Sequence, residues 1–516
     1  MQPVPFTRTA RALRTTVVAS AFGYTAQALS LVAIPLFLAT VGTDGYGLMV
    51  TVMAFMGYLG FADAGLSWGS MILIAQAQGR DDKAGIAQIV RHSAVLAAGS
   101  GALVLLALAV ILVAAAVGWR LPMFAGHPQA DRLILIAGLQ LALNLQFGIV
   151  YNLFQGLQEG YWTAVYSGLG RLVGLIGAMV AAWLTHSVAV MMGVQLAFTV
   201  LCGVAAAAHA WRRHRWAFAA GAWNDRQQYR AQLRIGAKNF MLQIGRTLSG
   251  TAPVLGISAI LGPAMVPLYT VPNTLLTLCF MPFNSWSASM QSAYGEAWVA
   301  GARDWVRGAF RLSLERGLVL GGLGVALFFG LGDNFIRLWT HGRLWLDPAV
   351  AASIAAIVTF GALLTAGQYL LTGLNLHRRA AFAEIANGLL SLALVGLAVH
   401  WLGLGAVGLG VVGAALVTSA WVVWREIGAH VGAGSFPGWR MTLKVGLATA
   451  VSTITVLSVS VGEDGAVPMA VSRLAFGAVI GLAAYLAAAL ALKLVAAGDA
   501  VALARRLAQR VNPATP

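Results

Sequence analysis

Apolar stretches of about 20 or more residues recur from one end of the chain to the other, with little between them. They lie near residues 16–41, 46–77, 88–118, 131–157, 162–185, 188–210, 236–261, 266–296, 310–337, 348–375, 380–402, 406–428, 441–461 and 468–495. Each is long enough for an α-helix to cross the ~30 Å hydrocarbon core of a bilayer. In lipid every backbone N–H and C=O must be satisfied inside the protein, which leaves helices or a closed barrel. Continuous runs of this length, without period-two alternation, predict helices. The expected fold is therefore an all-α polytopic membrane protein with fourteen transmembrane helices. Composition agrees: 10% of residues are charged and 59% hydrophobic, where a soluble domain carries about 25% charge. The first run exceeds the ~7–15-residue core of a signal peptide and reads as an uncleaved helix. Cys202 and Cys279 both lie in apolar runs, which excludes a disulfide scaffold and zinc-type Cys/His spacing.

The formal charge of +16 would on a soluble chain point to nucleic acid. Its distribution points to orientation instead. With the N-terminus in the cytoplasm, the segments on that side hold 26 Lys and Arg, the outer loops four, and the spans Arg171, Arg246 and Arg473. This alternation follows the positive-inside rule and places both termini in the cytoplasm of a cell inner membrane. No nucleic-acid partner is expected. The longest interruption is basic and bears tryptophan. It divides the chain into an expected six-helix lobe (1–210), a cytoplasmic linker (211–235), a second six-helix lobe (236–430), and a last helix pair with a basic tail (431–516).

The two lobes echo each other. Gln155-Gly156-Leu157-Gln158 closes the fourth span and Thr372-Gly373-Leu374-Asn375 the tenth, 217 residues later. The first and seventh spans exit through Gly42 and Gly262, 220 apart. A six-plus-six repeat is expected, an arrangement found in transporters with the substrate site at the repeat interface.

Polar residues inside spans are costly and face protein or water. They recur at helical spacing as Ser20, Tyr24, Gln27 and Ser30 on the first span, and Gln140, Asn144, Tyr151, Gln155 and Gln158 on the fourth. The seventh carries Asn239, Gln243, Arg246 and Gly250; the eighth Tyr269, Asn273, Thr277, Asn284, Ser287 and Gln291. Each stripe either lines a water-filled cavity or bonds to neighbouring helices. Arg246 lies about ten residues into its span, roughly 15 Å deep, and needs a partner. That is either a phosphate held by the guanidinium fork or an acid such as Asp63. Arg171 is as deep on the fifth span, where an internal pair or substrate are the alternatives. Asp63 can pair with an arginine, bind a coupling ion or brace its helix. Glu384, close in sequence to Arg378 and Arg379, is expected to form a local ion pair. No Walker A, HExxH or GxSxG motif is present, and no cofactor is implied.

Gly42–Leu66, with an early Gly, a Tyr-Gly pair and then Ala62-Asp63-Ala64-Gly65-Leu66, resembles the second-helix signature of bacterial polysaccharide flippases of the O-antigen type. Gly262–Glu296 resembles the eighth-helix pattern of the same family, although Pro267-Leu268 stands where a Gly usually precedes the Tyr and a Pro near Ser292 is missing. These flippases belong to the multidrug/oligosaccharidyl-lipid/polysaccharide (MOP) exporter superfamily. The resemblance implies two six-helix lobes around a cavity lined by helices one, two, seven and eight. It also implies alternating-access flipping of an isoprenoid-phosphate or pyrophosphate-linked oligosaccharide for surface or exopolysaccharide assembly.

On that reading Arg246, Gln243, Asn239, Asn273, Tyr269, Asn284, Gln27, Tyr24 and Arg171 contact substrate, and Asp63 and Glu384 serve coupling or structure. Membrane lipid, a coupling ion (H+ or Na+) and glycan-assembly proteins are its further partners. A drug antiporter of the same superfamily is the alternative, although two deep arginines against one central acid favour an anionic substrate. A membrane polysaccharide polymerase is a third reading; the short outer loops, with scattered acids, oppose it. None of the three gives the chain a cofactor or a metal.

Overall fold

A computed structural model describes residues 5–63, 65–218, 226–460 and 467–494; within 5–13, 16, 66–68, 226–239, 460 and 467–470 only the backbone is described. The centre of the expected linker (219–225) and the expected basic tail (495–516) lie outside the described residues. The described residues form fifteen α-helices: α1 (Pro5–Leu59), α2 (Leu66–Gly79), α3 (Lys83–Ala116), α4 (Ala130–Gly156), α5 (Gly160–Thr185), α6 (Val188–Arg213), α7 (Arg226–Leu261), α8 (Val266–Val299), α9 (Arg303–Trp339), α10 (Pro348–Gly373), α11 (Arg378–Leu402), α12 (Val407–Ala415), α13 (Trp421–His430), α14 (Trp439–Ser460) and α15 (Val467–Ala491). Thirteen stretches among the described residues are long and apolar enough to cross a membrane. One of them, Val17–Asp63, has 47 residues, enough for two crossings. It turns at Gly42, whose φ of 74° and ψ of 175° break the helix. The protein is thus an all-α, multi-pass membrane protein with the fourteen crossings expected.

The second crossing departs from expectation. It is not one helix over 46–77. After Leu59 the chain makes a 3-10 turn, Gly60–Asp63, and α2 restarts beyond Gly65 at φ 75°. Asp63 therefore sits in a mid-membrane break rather than within a helix. A broken helix frees backbone groups at that depth, which is tolerated where protein or water satisfies them.

The repeat is written into the backbone. Left-handed positions recur at the two offsets: Gly42 with Gly262 and Asp81 with Gly301 at 220, Gln158 with Asn375 and His186 with Gly403 at 217. The packing beneath them matches. Gly156 lies against Ile74 and the Met71 carbonyl of α2; Gly373 lies against Tyr294 and the Gln291 carbonyl of α8. Met71 and Gln291, like Ile74 and Tyr294, are 220 apart.

The chain divides into two compact units, Met1–Pro267 with Ala381–His400, and Leu268–Ala380 with Trp401–Pro516. In the first, α5 packs on α6 through Gly170, Gly174 and Gly177, which meet Cys202, Gln195 and Phe198. In the second, Gly317, Gly321 and Gly324 of α9 receive Phe283, Phe280 and Cys279 of α8. The opposite side of α9 holds the last helix pair: Gly322 meets Tyr485 and Thr449, and Tyr485 Oη donates to the Val319 carbonyl at 2.6 Å. Lipid offers no hydrophobic drive between helices, so small residues that permit close packing and a few hydrogen bonds hold these contacts.

Candidate polar face of the seventh helix

Three sides of α7 can be told apart by what they touch. Gly245 lies on the Glu384 backbone of α11, Leu248 on Gly388 and Gly256 on Val395. About 130° round the helix, at 100° per residue, Thr247 and Thr251 meet Gly57 of α1, and the Phe240 ring meets Phe61 edge-on, centroids 6.4 Å apart. The expected stripe of Asn239, Gln243, Arg246 and Gly250 occupies the remaining side. Gln243 and Gly250 are exposed and Arg246 partly so; a Cβ on Gly250 would meet nothing within 4 Å. Of Asn239 only the backbone is described. Neither Arg246 nor Asp63 is a free charge.

The side facing α11 is fixed by a buried polar network that the sequence reading missed. Glu384, 4% exposed, accepts at Oε1 from Ser249 Oγ at 3.0 Å and from Asn387 Nδ2 at 3.2 Å. Asn387 also donates to Ser249 Oγ at 3.2 Å, and Ser391 Oγ donates to Asn387 Oδ1 at 3.3 Å. The expected local pairing of Glu384 is corrected on one side: Arg379 donates instead to Glu426 Oε1 at 2.9 Å. The missed signal was the spacing of Glu384, Asn387 and Ser391, which puts all three on one side of α11.

The other expected residues divide. On α1, Phe22 and Thr15 pack against Gly168 and Gly160 of α5; Ser20, Tyr24 and Gln27 lie on the opposite side, with Tyr24 55% exposed and Gln27 partly buried. On α8, Asn273 and Asn284 are partly exposed, but Tyr269 is 4% exposed and Ser287 3%, so that stripe is only partly open. Of the two alternatives for Arg171, the internal ion pair is not found among the described residues. Arg171 is exposed, on the side of α5 roughly opposite the apolar strip of Leu169, Val173, Ile176 and Val180. No group of three metal-ligating side chains occurs among the described residues. The chemistry on offer is a guanidinium fork and neutral donors within a membrane, suited to phosphate oxygens and hydroxyls.

A sequence profile of the family described as "Polysaccharide biosynthesis protein" matches residues 12–289, more than half of the chain. The chain belongs to that family. Solved structures place its fold. The lipid II flippase MurJ in an inward closed conformation superposes with TM-score 0.66 over 92% of this chain and 98% of its own, at 12% identity. An inward-facing multidrug resistance MATE transporter of the MOP superfamily gives 0.62 over 78% and 94%, at 17% identity. A MOP transporter from Pyrococcus furiosus, described as having a binding pocket of reverse polarity, gives 0.54 over 83% and 97%, at 16% identity. No curated protein matches at the sequence level. The family member thus carries the fold of the MOP transporters.

Proposed function

We propose that this protein flips an isoprenoid-phosphate- or pyrophosphate-linked oligosaccharide across the cytoplasmic membrane by alternating access, both termini lying in the cytoplasm. The observation that carries the reading is the open polar side of α7, where Gln243 and Gly250 are exposed and Arg246 partly so. An arginine within an apolar span costs at least ~2.5–3.5 kcal/mol, and a guanidinium fork partly open on this side of α7 can take phosphate oxygens bidentately. Gln243 and Asn239 beside it, with Tyr24, Gln27, Asn273 and Asn284, supply uncharged donors and acceptors for sugar hydroxyls; Arg171 is a second cation for the anionic head. Residues 1–210 and 236–430 act as the two lobes, joined by 211–235, and residues 431–516 add the last pair.

Two further findings support the reading. An apolar groove of about 580 Å³ runs between α8, α9 and α15, lined by Leu275, Cys279, Leu327, Phe328, Leu474 and Ala478 among others; it suits a hydrocarbon tail. The relative named as a lipid II flippase shares this architecture over nearly the whole chain. An antiporter of cationic drugs would want acids on the open faces, whereas the acid on α11, Glu384, is buried and the exposed deep charge is Arg171. The test is Arg246→Ala in cells lacking their own copy. Surface glycan should fall at least about ten-fold at normal protein level, one decade being ~1.4 kcal/mol of lost interaction. Unchanged glycan would refute the role of Arg246.

A further inference from the structure

In each half of the repeat, the same two helix ends are fastened together by different chemistry. In the first half Trp162, near the start of α5, packs edge-on to His209 of α6, centroids 4.4 Å apart. The equivalent positions, 217 residues on, are Arg379 at the start of α11 and Glu426 of α13, joined by the 2.9 Å ion pair. A second contact reinforces each. Glu159, just before α5, is buried; it accepts from Arg213 Nη2 at 3.1 Å on one oxygen and lies 3.1 Å from His214 Nε2 on the other. His430, 217 beyond Arg213, places Nδ1 3.5 Å from Glu426 Oε2. The preceding turns match too: Glu159 N donates to Phe154 O at 2.7 Å and Leu376 N to Leu371 O at 2.8 Å, again 217 apart.

Burial alone would raise the Glu159 carboxyl, but the hydrogen bonds and charges of Arg213 and His214 bring it below the ordinary carboxylate value. The first junction therefore holds its ionised form. Tyr166 Oη, 3.1 Å from His209 Nδ1, and the Phe154 ring, 5.5 Å from the His209 ring, tie the fourth and fifth helices to the sixth. In the second half Gly367 of α10 is packed by Val423 and Ile427 of α13, where the first half has Val150 with Ala206 and Ala210 in one apolar cluster. Those pairs also keep the 217 offset.

We propose that these junctions are two clasps, one in each half: the first makes the fourth to sixth helices a rigid block during transport, and the second holds the start of α11 firmly to α10 and α13. The interruptions lie elsewhere. Gly42 turns α1, the Gly60–Asp63 turn splits the second crossing, and Pro35, Pro253, Pro272 and Pro282 fall inside α1, α7 and α8. Proline removes a helical hydrogen bond and lets a helix bend. No proline lies within α4, α5, α6 or α11, and that of α10 is its first residue. The π turn Leu416–Ala420 precedes α13 and lies outside the clasp.

The test is hydrogen exchange of the full chain in lipid nanodiscs. Arg379→Glu should speed exchange at residues 374–380 and 423–431 about ten-fold, leaving 240–250 unchanged. The charge-exchanged pair Arg379→Glu with Glu426→Arg should return it towards wild type. Glu159→Gln should do the same at 156–162 and 209–215. Unchanged exchange in the single variants, or no recovery in the exchanged pair, overturns the clasps. This readout needs no substrate and stands apart from the flippase reading. A second arm replaces Trp162 and His209 by cysteines in a Cys202→Ser, Cys279→Ser background and bridges them with a bismaleimide in cells. Retained glycan export supports a block that stays closed; abolished export overturns it.

Discussion

Gly245→Ala tests whether α7 is held where the structure puts it. A Cβ at this position would lie 2.7 Å from both the carbonyl oxygen and the Cγ of Glu384, about 1 Å inside ordinary van der Waals contact. The obstruction is partly backbone and cannot rotate away, so α7 and α11 must separate. Overpacking of this kind costs about 1–3 kcal/mol. Alanine also gains about 0.8–1 kcal/mol of helix propensity over glycine, which would blur a single measurement. Gly250→Ala cancels that term: it lies five residues along the same helix, and its Cβ would meet nothing within 4 Å.

The difference between the two variants then isolates the contact, at about 1–3 kcal/mol. For a unit of this size, each kcal/mol shifts the melting temperature by about 2 °C. Purified protein, unfolded by heat in detergent, should therefore melt about 2–6 °C lower for Gly245→Ala than for Gly250→Ala. Equal melting of the two would show that α7 and α11 are not in this register, and with it would fall the three-sided account of α7 that leaves Arg246 on the open side.

Other consequences are as direct. Arg246→Lys keeps the charge but loses the planar fork, so glycan export should fall clearly below wild type in the complementation assay; full activity would argue against bidentate binding. Tyr485→Phe removes the hydrogen bond to the Val319 carbonyl, worth about 1 kcal/mol within a membrane, and should speed proteolysis or amide exchange of α15 with α5 unaffected. The Glu159 carboxyl, held below its ordinary 4.5, contributes stability that is present above that value and lost as pH falls through its lower folded value. Acid melting curves of wild type should thus drop more steeply below about pH 4.5 than those of Glu159→Gln.

The crossings, the polar stripe of α7 and the repeat were all legible in the sequence because each is a local pattern. Runs of apolar residues, polar residues three or four apart, and glycine-bearing turns at a fixed offset need no knowledge of what packs where. The misread residues are those whose partners come from another helix. Glu384 has two arginines within six residues, yet Arg379 pairs with Glu426 and the hydrogen bonds of Glu384 reach Ser249, 135 residues away. Tyr269 fits the stripe of α8 by spacing, yet is buried, as is Ser287; at 100° per residue the two share one edge of the stripe, which is covered by protein, while Asn273 and Asn284 lie partly open beside it. The break at Gly60–Asp63 was hidden for the opposite reason: Gly60, Phe61 and Ala62 continue a hydrophobic run up to Asp63, and hydropathy does not register backbone angle.

The offset itself shows how the two halves diverged. It is 220 at Gly42, Met71 and Asp81 and 217 from Gly156 onward, so the first half is longer somewhere between its second and fourth crossings. The helices do not supply the difference: α3 has 34 residues against 37 in α9, and α4 has 27 against 26 in α10. The outer loop does, since α3 ends at Ala116 and α4 starts at Ala130, whereas α9 ends at Trp339 and α10 starts at Pro348. A loop in water tolerates inserted residues at little entropic cost. A glycine contact between helices in lipid does not, which is why Gly156 and Gly373 still meet the equivalent carbonyls. The side chains at the helix ends were free to change provided that they still joined, so an indole on an imidazole in one half can stand where a guanidinium on a carboxylate stands in the other.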